Sequence, residues 1–215
     1  MEKFFKNVQD SYNSVAEDYA KKFIDELDEK PFDRKMLELL CDKTEGLGML
    51  CDLGCGPGNV ARYLHKLGRQ VCGLDLSNDL VELAKKLNPE IKFYKANMLD
   101  MNIIADSYFG GAAAFYSLIH IPKNLIAAAL KEIYRTIKDN GALLIAFHTG
   151  NEIRHFDEWW GKKVNLDFIF YQTDEMKKYI VEAGFMIDYV IEREPVKEVE
   201  VETKRSYILA RKNKA

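Results

Sequence analysis

Several features are scarce in this chain, and each scarcity excludes a class of protein. The longest oily stretch, residues 110–121 (GGAAAFYSLIHI), is too short and too rich in small residues to cross a bilayer. The net charge is -3 and no basic block stands out, which argues against a nucleic-acid-binding protein. Residues 1–15 contain no apolar core of signal-peptide length, so we expect a cytoplasmic protein without a membrane partner.

Cysteine is also scarce, and its spacing matches no common zinc pattern. The four cysteines are Cys41, Cys51, Cys55 and Cys72. No histidine pair lies near them, so we expect reduced thiols and predict no metal site. His148, Glu152 and His155 lack the helical spacing of an HExxH zinc motif, so they do not change this prediction.

The length and composition favour one globular domain over residues 1–215. Apolar residues make up 47% of the chain and charged residues 30%, typical of a folded soluble domain. A chain of 215 residues is long enough for one substantial core and short for two. We find no internal repeat and no low-complexity linker that would divide it.

Short apolar runs alternate along the chain with segments of helical periodicity. The runs predict strands at residues 48–53, 70–75, 91–95, 111–116 and 142–147. The segments between them predict helices at residues 57–67, 77–87 and 122–137, the last ended by a left-handed cap at Asn140-Gly141. Because such alternation requires right-handed crossovers, it predicts an α/β fold with a doubly wound parallel sheet and helices on both faces.

The pattern changes after the fifth predicted strand. Residues 150–172 are aromatic-rich and irregular, and we interpret them as an insertion on the substrate side. A helix over residues 173–184 precedes two strands, at residues 185–192 and 206–211, that we expect to pair antiparallel. The charged run at residues 192–205 between them predicts a solvated hairpin edge.

A glycine-rich turn joins the first predicted strand to the first predicted helix within residues 50–58 (LCDLGCGPG). Glycines at positions 54, 56 and 58 let the backbone turn sharply and approach a ligand closely. The N–H groups at the start of the helix then face that ligand. Asp75 ends the second predicted strand, where its carboxylate can accept hydrogen bonds from two ribose hydroxyls. Together these features predict a site for an adenosine-containing ligand.

The spacing of these glycines distinguishes two classes of adenosine ligand. Counted from Gly54, the dinucleotide fingerprint G-x-G-x-x-G requires glycine where this chain has Asn59. Asp52 would repel a pyrophosphate and would attract the ammonium group of an amino acid. The turn therefore favours S-adenosylmethionine over NAD.

These motifs resemble those of the class I S-adenosylmethionine-dependent methyltransferases of the small-molecule type, over essentially the whole chain. LCDLGCGPGNVARYL is similar to the family's first motif, GLDLS to its second and KANMLDM to its third. YSLIHIP is similar to the fourth motif and LKEIYRTIKDNGALLIAF to the fifth. The resemblance implies a Rossmann-like sheet of seven strands, six parallel and one antiparallel at the C-terminus. It also implies a helical lid at residues 1–45.

The resemblance implies which residues hold the cofactor. Tyr12 and Tyr19 match the lid helix whose tyrosines cover the methionine end of the cofactor, although both can also simply pack an amphipathic helix onto the sheet. Asn97 stands where the family usually has Asp, and its amide oxygen can still accept a hydrogen bond from the adenine amino group. The expected cofactor contacts are Tyr12, Tyr19, Asp52, Gly54, Cys55, Gly56, Gly58, Asp75, Leu76, Asn97, Met98 and Tyr116.

Candidate residues for the methyl acceptor follow the fourth and fifth predicted strands. Tyr116, Ser117 and His120 follow the fourth, and His148 ends the fifth. We take Tyr116, His120 and His148 as catalytic candidates, with His148 as the proton acceptor if the reaction requires one. The alternatives remain that His120 caps the next helix and that His148 is a hydrogen-bonded strand-end residue.

The insertion at residues 150–172 should cover the acceptor, because it follows a strand at the carboxyl edge of the sheet. Its candidate substrate contacts are His155, Trp159 and Phe170. Trp159 and its neighbour Trp160 can also serve only as hydrophobic packing of this cover.

The sequence thus predicts methyl transfer from S-adenosylmethionine to a small-molecule acceptor by in-line displacement. One alternative is a non-catalytic protein that binds S-adenosylmethionine or S-adenosylhomocysteine, since fold alone does not separate it from an enzyme. An NAD-dependent oxidoreductase is disfavoured by Asp52 and Asn59. A nucleic-acid methyltransferase is disfavoured because residues 116–122 contain no Asn-Pro-Pro-Tyr-type motif. We expect a monomer or homodimer without a nucleic-acid partner.

Overall fold

The computed structural model describes residues 2–214, which form six α-helices and nine β-strands. The helices are α1 (Glu2–Phe23), α2 (Pro31–Lys43), α3 (Asn59–Lys66), α4 (Asn78–Leu87), α5 (Lys123–Thr136) and α6 (Thr173–Glu182). The strands are β1 (Leu50–Leu53), β2 (Val71–Asp75), β3 (Lys92–Lys95), β4 (Phe109–Phe115), β5 (Ile137–His148), β6 (Ile153–Trp159), β7 (Lys162–Ile169), β8 (Phe185–Arg193) and β9 (Arg205–Lys212). Within the described residues, no helix combines the length and apolar character that a membrane span requires.

Seven strands form one sheet in the order β3-β2-β1-β4-β5-β9-β8. Only β9 runs antiparallel to its neighbours, since β5 and β8 both pair with it in antiparallel register. The predicted Rossmann-like sheet of six parallel strands and one antiparallel C-terminal strand is therefore confirmed. The order reverses direction after β1, so the carboxyl ends of β1, β2 and β4 meet at one edge.

Side chains alternate between the two faces of this sheet, and each face is covered by helices. In β5, Leu143 and Ile145 join a core with residues of α5 and α6, whereas Leu144 joins a core with residues of α2, α3 and α4. All three side chains are fully buried. A strand buried on both faces needs a continuous apolar run, which explains why the central strands stood out in the sequence.

The left-handed cap signal at Asn140-Gly141 ends no helix. Helix α5 stops at Thr136, and Asn140 adopts its left-handed conformation (φ 62°) inside β5. The strand pairing shifts beside these residues, and a Cβ on Gly141 would lie 2.7 Å from the carbonyl oxygen of Gly110. The predicted cap was wrong because the same two residue types also suit a bulge where two backbones approach closely.

The insertion at residues 150–172 is not irregular, because most of it forms a two-stranded antiparallel hairpin of β6 and β7. Trp160 and Gly161 form the tip, both with positive φ (51° and 75°). Val164 and Leu166 of β7 pack with residues of α1, so the helix and the hairpin lie together at the carboxyl edge. The sequence missed the hairpin because its strands bury only one face, against a helix far away in the chain.

We expect Gly58→Ala to destabilise the fold strongly. Gly58 has φ 87°, and a Cβ there would lie 2.8 Å from both Asn88 Nδ2 and Phe93 Cζ. The left-handed backbone costs about 1 kcal/mol, and overpacking adds roughly 1–3 kcal/mol. Urea unfolding at pH 7 measures the loss.

Gly68→Ala is the matched control for this substitution. Gly68 has a similar φ of 82°, but nothing lies within 4 Å of its Cβ position. It should lose only the backbone contribution of about 1 kcal/mol. Equal losses in the two variants would show that close packing around Gly58 does not constrain the turn.

Candidate functional site

Two cavities meet at the carboxyl edge of the sheet, beneath α1 and the hairpin. The first cavity contains residues that follow β2 and β3, including Asp75, Leu76, Asn97 and Met98. The second cavity contains Asp52, Glu26, Lys30, His148, Trp159 and Phe168. Both cavities are lined by Tyr12, Tyr19, Gly54, Gly56, Phe115 and Tyr116. The structure thus brings most of the predicted cofactor contacts to one place.

The turn after β1 is held against the end of β2. The Gly54 N–H donates to the carbonyl oxygen of Leu74 at 2.7 Å. Gly54 has φ 70°, and a Cβ there would lie 2.3 Å from the Cβ of Ser117. Only glycine fits this position, because Ser117, which follows β4, packs directly against the turn.

Asp75 is oriented by the backbone around it. Its two carboxylate oxygens accept hydrogen bonds from the N–H groups of Gly56 and Ser77, each at 2.8 Å. Burial raises the pKa of Asp75, and these backbone donors oppose the rise. Each oxygen has a second lone pair, so Asp75 can accept further hydrogen bonds from a diol in the first cavity.

Asn97 is fixed by a hydrogen bond within its own turn. Its amide oxygen accepts the Leu99 N–H at 3.0 Å, and its NH2 group donates to no residue within 2–214. The oxygen keeps one lone pair for the predicted contact with an adenine amino group. Leu76 and Met98 add apolar surface to the same cavity.

Asp52 is almost fully buried, with 1% of its surface exposed. One carboxylate oxygen accepts the Ala61 N–H of α3 at 2.9 Å. Burial raises the pKa of Asp52 to about 7, a rise opposed by that hydrogen bond and increased by the nearby Asp75 carboxylate. A cationic group in the second cavity would favour the ionised form.

Two other predicted cofactor residues, Cys55 and Gly58, direct no side chain into the first cavity. The Cys55 side chain is buried under α3 in the core, although the residue borders the second cavity. Gly58 lines neither cavity and is the left-handed N-cap of α3. The three glycines therefore have two roles: Gly54 and Gly56 line the cavities, whereas Gly58 allows close packing against Asn88 and Phe93.

Tyr12 links α1 to the segment after β4. Its hydroxyl lies 2.7 Å from His120 Nε2, and His120 Nδ1 lies 3.0 Å from the backbone carbonyl oxygen of Asp167. Since a carbonyl only accepts, Nδ1 carries the proton and the Tyr12 hydroxyl donates to Nε2. Burial lowers the pKa of His120 to about 4. His120 is thus a neutral residue with both nitrogens bonded, a weak candidate for proton transfer.

Tyr116 separates the two cavities in a strained backbone conformation. It has φ 51°, which is rare for a bulky residue and costs of the order of 1–3 kcal/mol. Its hydroxyl lies 3.0 Å from that of Tyr207, which in turn donates to the buried carboxylate of Asp33. Tyr207 also accepts a hydrogen bond from Arg193. The Tyr116 hydroxyl is therefore engaged behind the site.

Part of the charged run predicted as a solvated edge forms a wall of the second cavity. The Glu200 side chain is fully buried and accepts two hydrogen bonds from Arg193, at 2.6 and 2.7 Å. Arg205 is also buried, with its Nε 3.3 Å from Glu200. Glu200 and Val201 both line the cavity. Most of residues 192–205 are exposed, as expected for a solvated edge. Glu200 and Arg205 are buried exceptions, because their opposite charges pair within the fold, which composition alone does not reveal.

His148 ends β5 and lines the second cavity. Its Nδ1 lies 2.7 Å from Thr203 Oγ1, and its ring lies against those of Tyr116 and Phe170. Burial, together with the nearby Arg205, Lys30 and Arg154, lowers the pKa of His148 to about 3. An imidazole with so low a pKa can form a hydrogen bond with the methyl acceptor, but it is a weak base for removing a proton from it.

The three predicted substrate contacts occupy different places. Trp159 borders the second cavity, between the rings of Tyr12 and Tyr19 and that of Trp160. Phe170 is buried behind His148 and lines neither cavity. His155 lies on the hairpin's exposed surface, bonded to Asp157 and Asp167, and also lines neither cavity. Its position does not support a substrate contact.

The first cavity fits the nucleoside part of S-adenosylmethionine. Asp75 supplies hydrogen-bond acceptors for a ribose, and Gly54 and Gly56 of the turn line the same cavity. Among the described residues, its lining includes Asp75 and no lysine or arginine, so it offers a pyrophosphate no cationic side chain. At the other end, buried Asp52 provides an acidic partner for an amino-acid ammonium group.

A family model described as a methyltransferase domain matches residues 50–141. A protein of Geobacillus sp. (strain WCH70), named only as a methyltransferase, is 28% identical over 142 residues, covering 63% of this chain and 53% of its own. A malonyl-[acyl-carrier protein] O-methyltransferase of Pseudescherichia vulneris is 28% identical over 109 residues, covering 51% and 42%. The chain spans about half the length of these curated relatives.

Solved structures share the fold at low identity. A protein of Methanosarcina mazei described as an S-adenosylmethionine-dependent methyltransferase superposes with a TM-score of 0.70 and 17% identity, covering 78% of this chain and 93% of its own. Magnesium protoporphyrin IX methyltransferase from Synechocystis PCC 6803, with S-adenosylmethionine bound, also has a TM-score of 0.70, with 16% identity and coverage of 98% and 97%. At such identities the likeness establishes the architecture.

Asp52→Asn should change how stability depends on pH. The raised pKa means that the folded state binds more protons than the unfolded state above about pH 4, so the wild-type protein loses stability as the pH rises towards about 7. The variant lacks this loss. From pH 5 to pH 8, the free energy of unfolding of the variant should therefore rise by roughly 1–4 kcal/mol relative to that of the wild type.

Melting curves recorded from pH 5 to pH 8 measure this difference. Asp42→Asn, at an exposed position in the last turn of α2, is the control and should follow the wild type throughout. Parallel pH profiles for the Asp52 variant and the wild type would mean that Asp52 titrates normally.

Glu200→Gln should destabilise the protein by about 3 kcal/mol, because it removes the carboxylate that pairs with both guanidinium groups and leaves Arg193 with only the Asp33 carboxylate at 3.2 Å. Glu202→Gln, in the same loop but exposed, should stay within about 0.5 kcal/mol of the wild type. Chemical denaturation measures both variants. A change at Glu200 as small as that at Glu202 would contradict a structural role for the buried cluster.

Proposed function

We propose that this chain, which belongs to the class I S-adenosylmethionine-dependent methyltransferases, transfers the methyl group of that cofactor to a small-molecule acceptor. The observation that carries the proposal is the arrangement of two cavities that meet at Tyr12, Tyr19, Tyr116 and the glycine turn. One cavity suits a nucleoside. The other offers room for an acceptor beside it.

The cofactor would be held along the turn after β1. Asp75 would accept hydrogen bonds from the ribose hydroxyls, while Leu76, Asn97 and Met98 would surround the adenine. Asp52 would attract the ammonium group of the methionine part. The bound cofactor supplies an electrophilic methyl group on a sulfonium centre. The aromatic rings of Tyr12, Tyr19 and Tyr116, at the junction of the cavities, offer faces that favour such a positive charge.

The protein's part in the reaction is alignment and exclusion of water. Orienting two reactants can lower a barrier by roughly 7–11 kcal/mol without any proton transfer. Tyr116 is suited to this task because the Tyr207 hydroxyl and the Asp33 carboxylate hold its ring in place. We propose that it sets the boundary across which the methyl group passes.

The acceptor would have an apolar body and little net charge. The rings of Trp159 and Phe168 and the side chains of Val199 and Val201 line the second cavity. Apart from Asp52, the charged side chains there are already paired, with Lys30 bonded to Glu26 at 2.5 Å, and Glu200 and Arg205 in the buried cluster. An acceptor charge would have to compete with these existing pairs.

Among the three catalytic candidates, His148 has the geometry most suited to contact an acceptor. Its Nε2 has no partner among residues 2–214, whereas both nitrogens of His120 and the hydroxyl of Tyr116 are engaged. The low pKa of His148 favours a role as a hydrogen-bonding group that orients the acceptor. His120 would position Tyr12 of the lid.

We further propose that residues 1–215 act as one methyltransferase domain, with residues 1–45 as its lid and residues 150–172 as a second part of the cover. Two direct polar contacts between α1 and the hairpin support a joint cover, Ser11 with Asn165 and Asp18 with Lys162. His120 adds an indirect link, because it contacts both Tyr12 and the backbone of Asp167. The hairpin and α1 would then open together when ligands enter.

The main alternative is a protein that binds the cofactor without catalysis. If the aromatic side chains of the hairpin filled the acceptor cavity, that alternative would gain support, but the second cavity is open beside the glycine turn. Hydride transfer from NAD is disfavoured because Asn59 stands where the dinucleotide fingerprint has glycine, and because the buried carboxylate of Asp52 would repel a pyrophosphate. The open second cavity favours the enzyme.

Calorimetric titration with S-adenosylhomocysteine tests the proposal, with NADH as a parallel ligand. We expect micromolar affinity for S-adenosylhomocysteine and none for NADH. Asp75→Ala should weaken binding by at least tenfold, because the ribose loses its charged acceptor. Asp42→Ala, at its exposed position on α2, should bind as the wild type does.

Two results would contradict the proposal. Binding of NADH alone would move the assignment to hydride transfer. Binding of neither ligand would contradict the proposal that the first cavity binds a nucleoside.

A further inference from the structure

The Ser117 hydroxyl is buried and has no hydrogen-bond partner among the described residues. Only 7% of the residue's surface is exposed. Buried hydroxyl groups in folded proteins nearly always have a partner, so an unpartnered one needs an explanation. A water molecule or a ligand can supply the missing hydrogen bond.

The fold fixes Ser117 over the glycine turn. It directly follows Tyr116, whose positive φ bends the chain sharply after β4. A Cβ on Gly54 would lie 2.3 Å from the Ser117 Cβ and 3.1 Å from its Oγ, so the serine packs directly against the turn. The hydroxyl therefore has a fixed position beside the backbone that a ligand approaches most closely.

Ser117 lines the first cavity and not the second. It shares the first cavity with Asp75, Asn97 and Met98, which surround the expected nucleoside. Asp52, the expected partner of the methionine ammonium group, lines only the second. The expectation that Ser117 faces the acceptor is thus not supported by its position, which is on the nucleoside side.

An unpartnered hydroxyl does not by itself mark a site. Thr149 and Ser206 also have buried hydroxyl oxygens without partners, and neither residue lines either cavity. Ser117 differs from them because the residue lines a cavity whose other side chains provide acceptors and donors suited to a nucleoside.

We propose that the Ser117 hydroxyl hydrogen-bonds the adenosyl part of S-adenosylmethionine. This inference rests on the proposed function, because it requires that cofactor in the first cavity. It adds a side-chain contact from the segment after β4 to those from the ends of β2 and β3. Ser117 is therefore a cofactor-binding residue.

Calorimetric titration of Ser117→Ala with two ligands tests this contact. S-adenosylhomocysteine is the cofactor product and carries both the adenosyl and the amino-acid parts, whereas 5′-deoxy-5′-methylthioadenosine lacks the amino-acid part. Loss of one hydrogen bond to the adenosyl part should weaken both ligands by the same factor, about three- to tenfold. The melting temperature of the unliganded variant should not fall, because the hydroxyl has no hydrogen-bond partner among residues 2–214.

Ser206→Ala is the matched control. It removes a buried hydroxyl that is also unpartnered, from strand β9 and away from both cavities. It should bind both ligands within twofold of the wild type.

Two outcomes would overturn the inference while leaving the proposed function intact. Ser117→Ala could bind S-adenosylhomocysteine within twofold of the wild type. Alternatively, its weakened binding could be confined to S-adenosylhomocysteine, which would move the contact to the methionine part. Failure of the wild-type protein to bind either ligand would instead overturn the proposed function.

Discussion

The close approach of the turn after β1 to the ends of β2 and β4 is the constraint on which the site depends. Gly54 bonds to Leu74 at the end of β2, and its missing Cβ leaves room for Ser117 after β4. Any side chain at position 54 would push these strand ends apart. Because Asp75 and Tyr116 also follow those ends, the same contact positions a carboxylate on one side of the turn and an aromatic ring on the other.

The wall on the acceptor side depends on a second, different interaction. Glu200, Arg193 and Arg205 form a buried ion cluster that anchors the loop before β9, and Asp33 extends it through Tyr207 to Tyr116. A buried carboxylate paired with two guanidinium groups is costly to disrupt, although apolar residues can provide similar stability. Its effect here is geometric, because it links a loop that lines the cavity to the residue between the cavities.

Local signals made the sheet and the nucleoside side predictable. The apolar runs of β1, β2 and β5 are short and buried on both faces, and the glycine turn and Asp75 lie within one contiguous stretch of chain. The acceptor side depends on contacts between distant segments. Arg193 meets Asp33 across 160 positions, and Tyr12 meets His120 across 108. Residue type and spacing carry no information about such pairs.

The prediction for residues 140–141 failed for a different reason. Asn-Gly indicates a left-handed backbone, and Asn140 does adopt one, but the dipeptide does not specify which element it interrupts. Its place in a strand bulge depends on how closely Gly110 of β4 approaches. The conformation was local and predictable, whereas its role depended on the neighbouring strand.

The site concentrates features that the core avoids. Asp52 is buried and Asp75 is partly buried, and both carboxylates have raised pKa values. Tyr116 has a strained backbone, and the Ser117 hydroxyl has no partner among residues 2–214. Each raises the free energy of the unliganded protein, and the apolar strands β4 and β5 beside them offset this cost through complete burial. A ligand with hydroxyl groups for Asp75 and an ammonium group for Asp52 would remove part of that cost on binding. Affinity for such a ligand thus arises partly from instability that the free protein already contains.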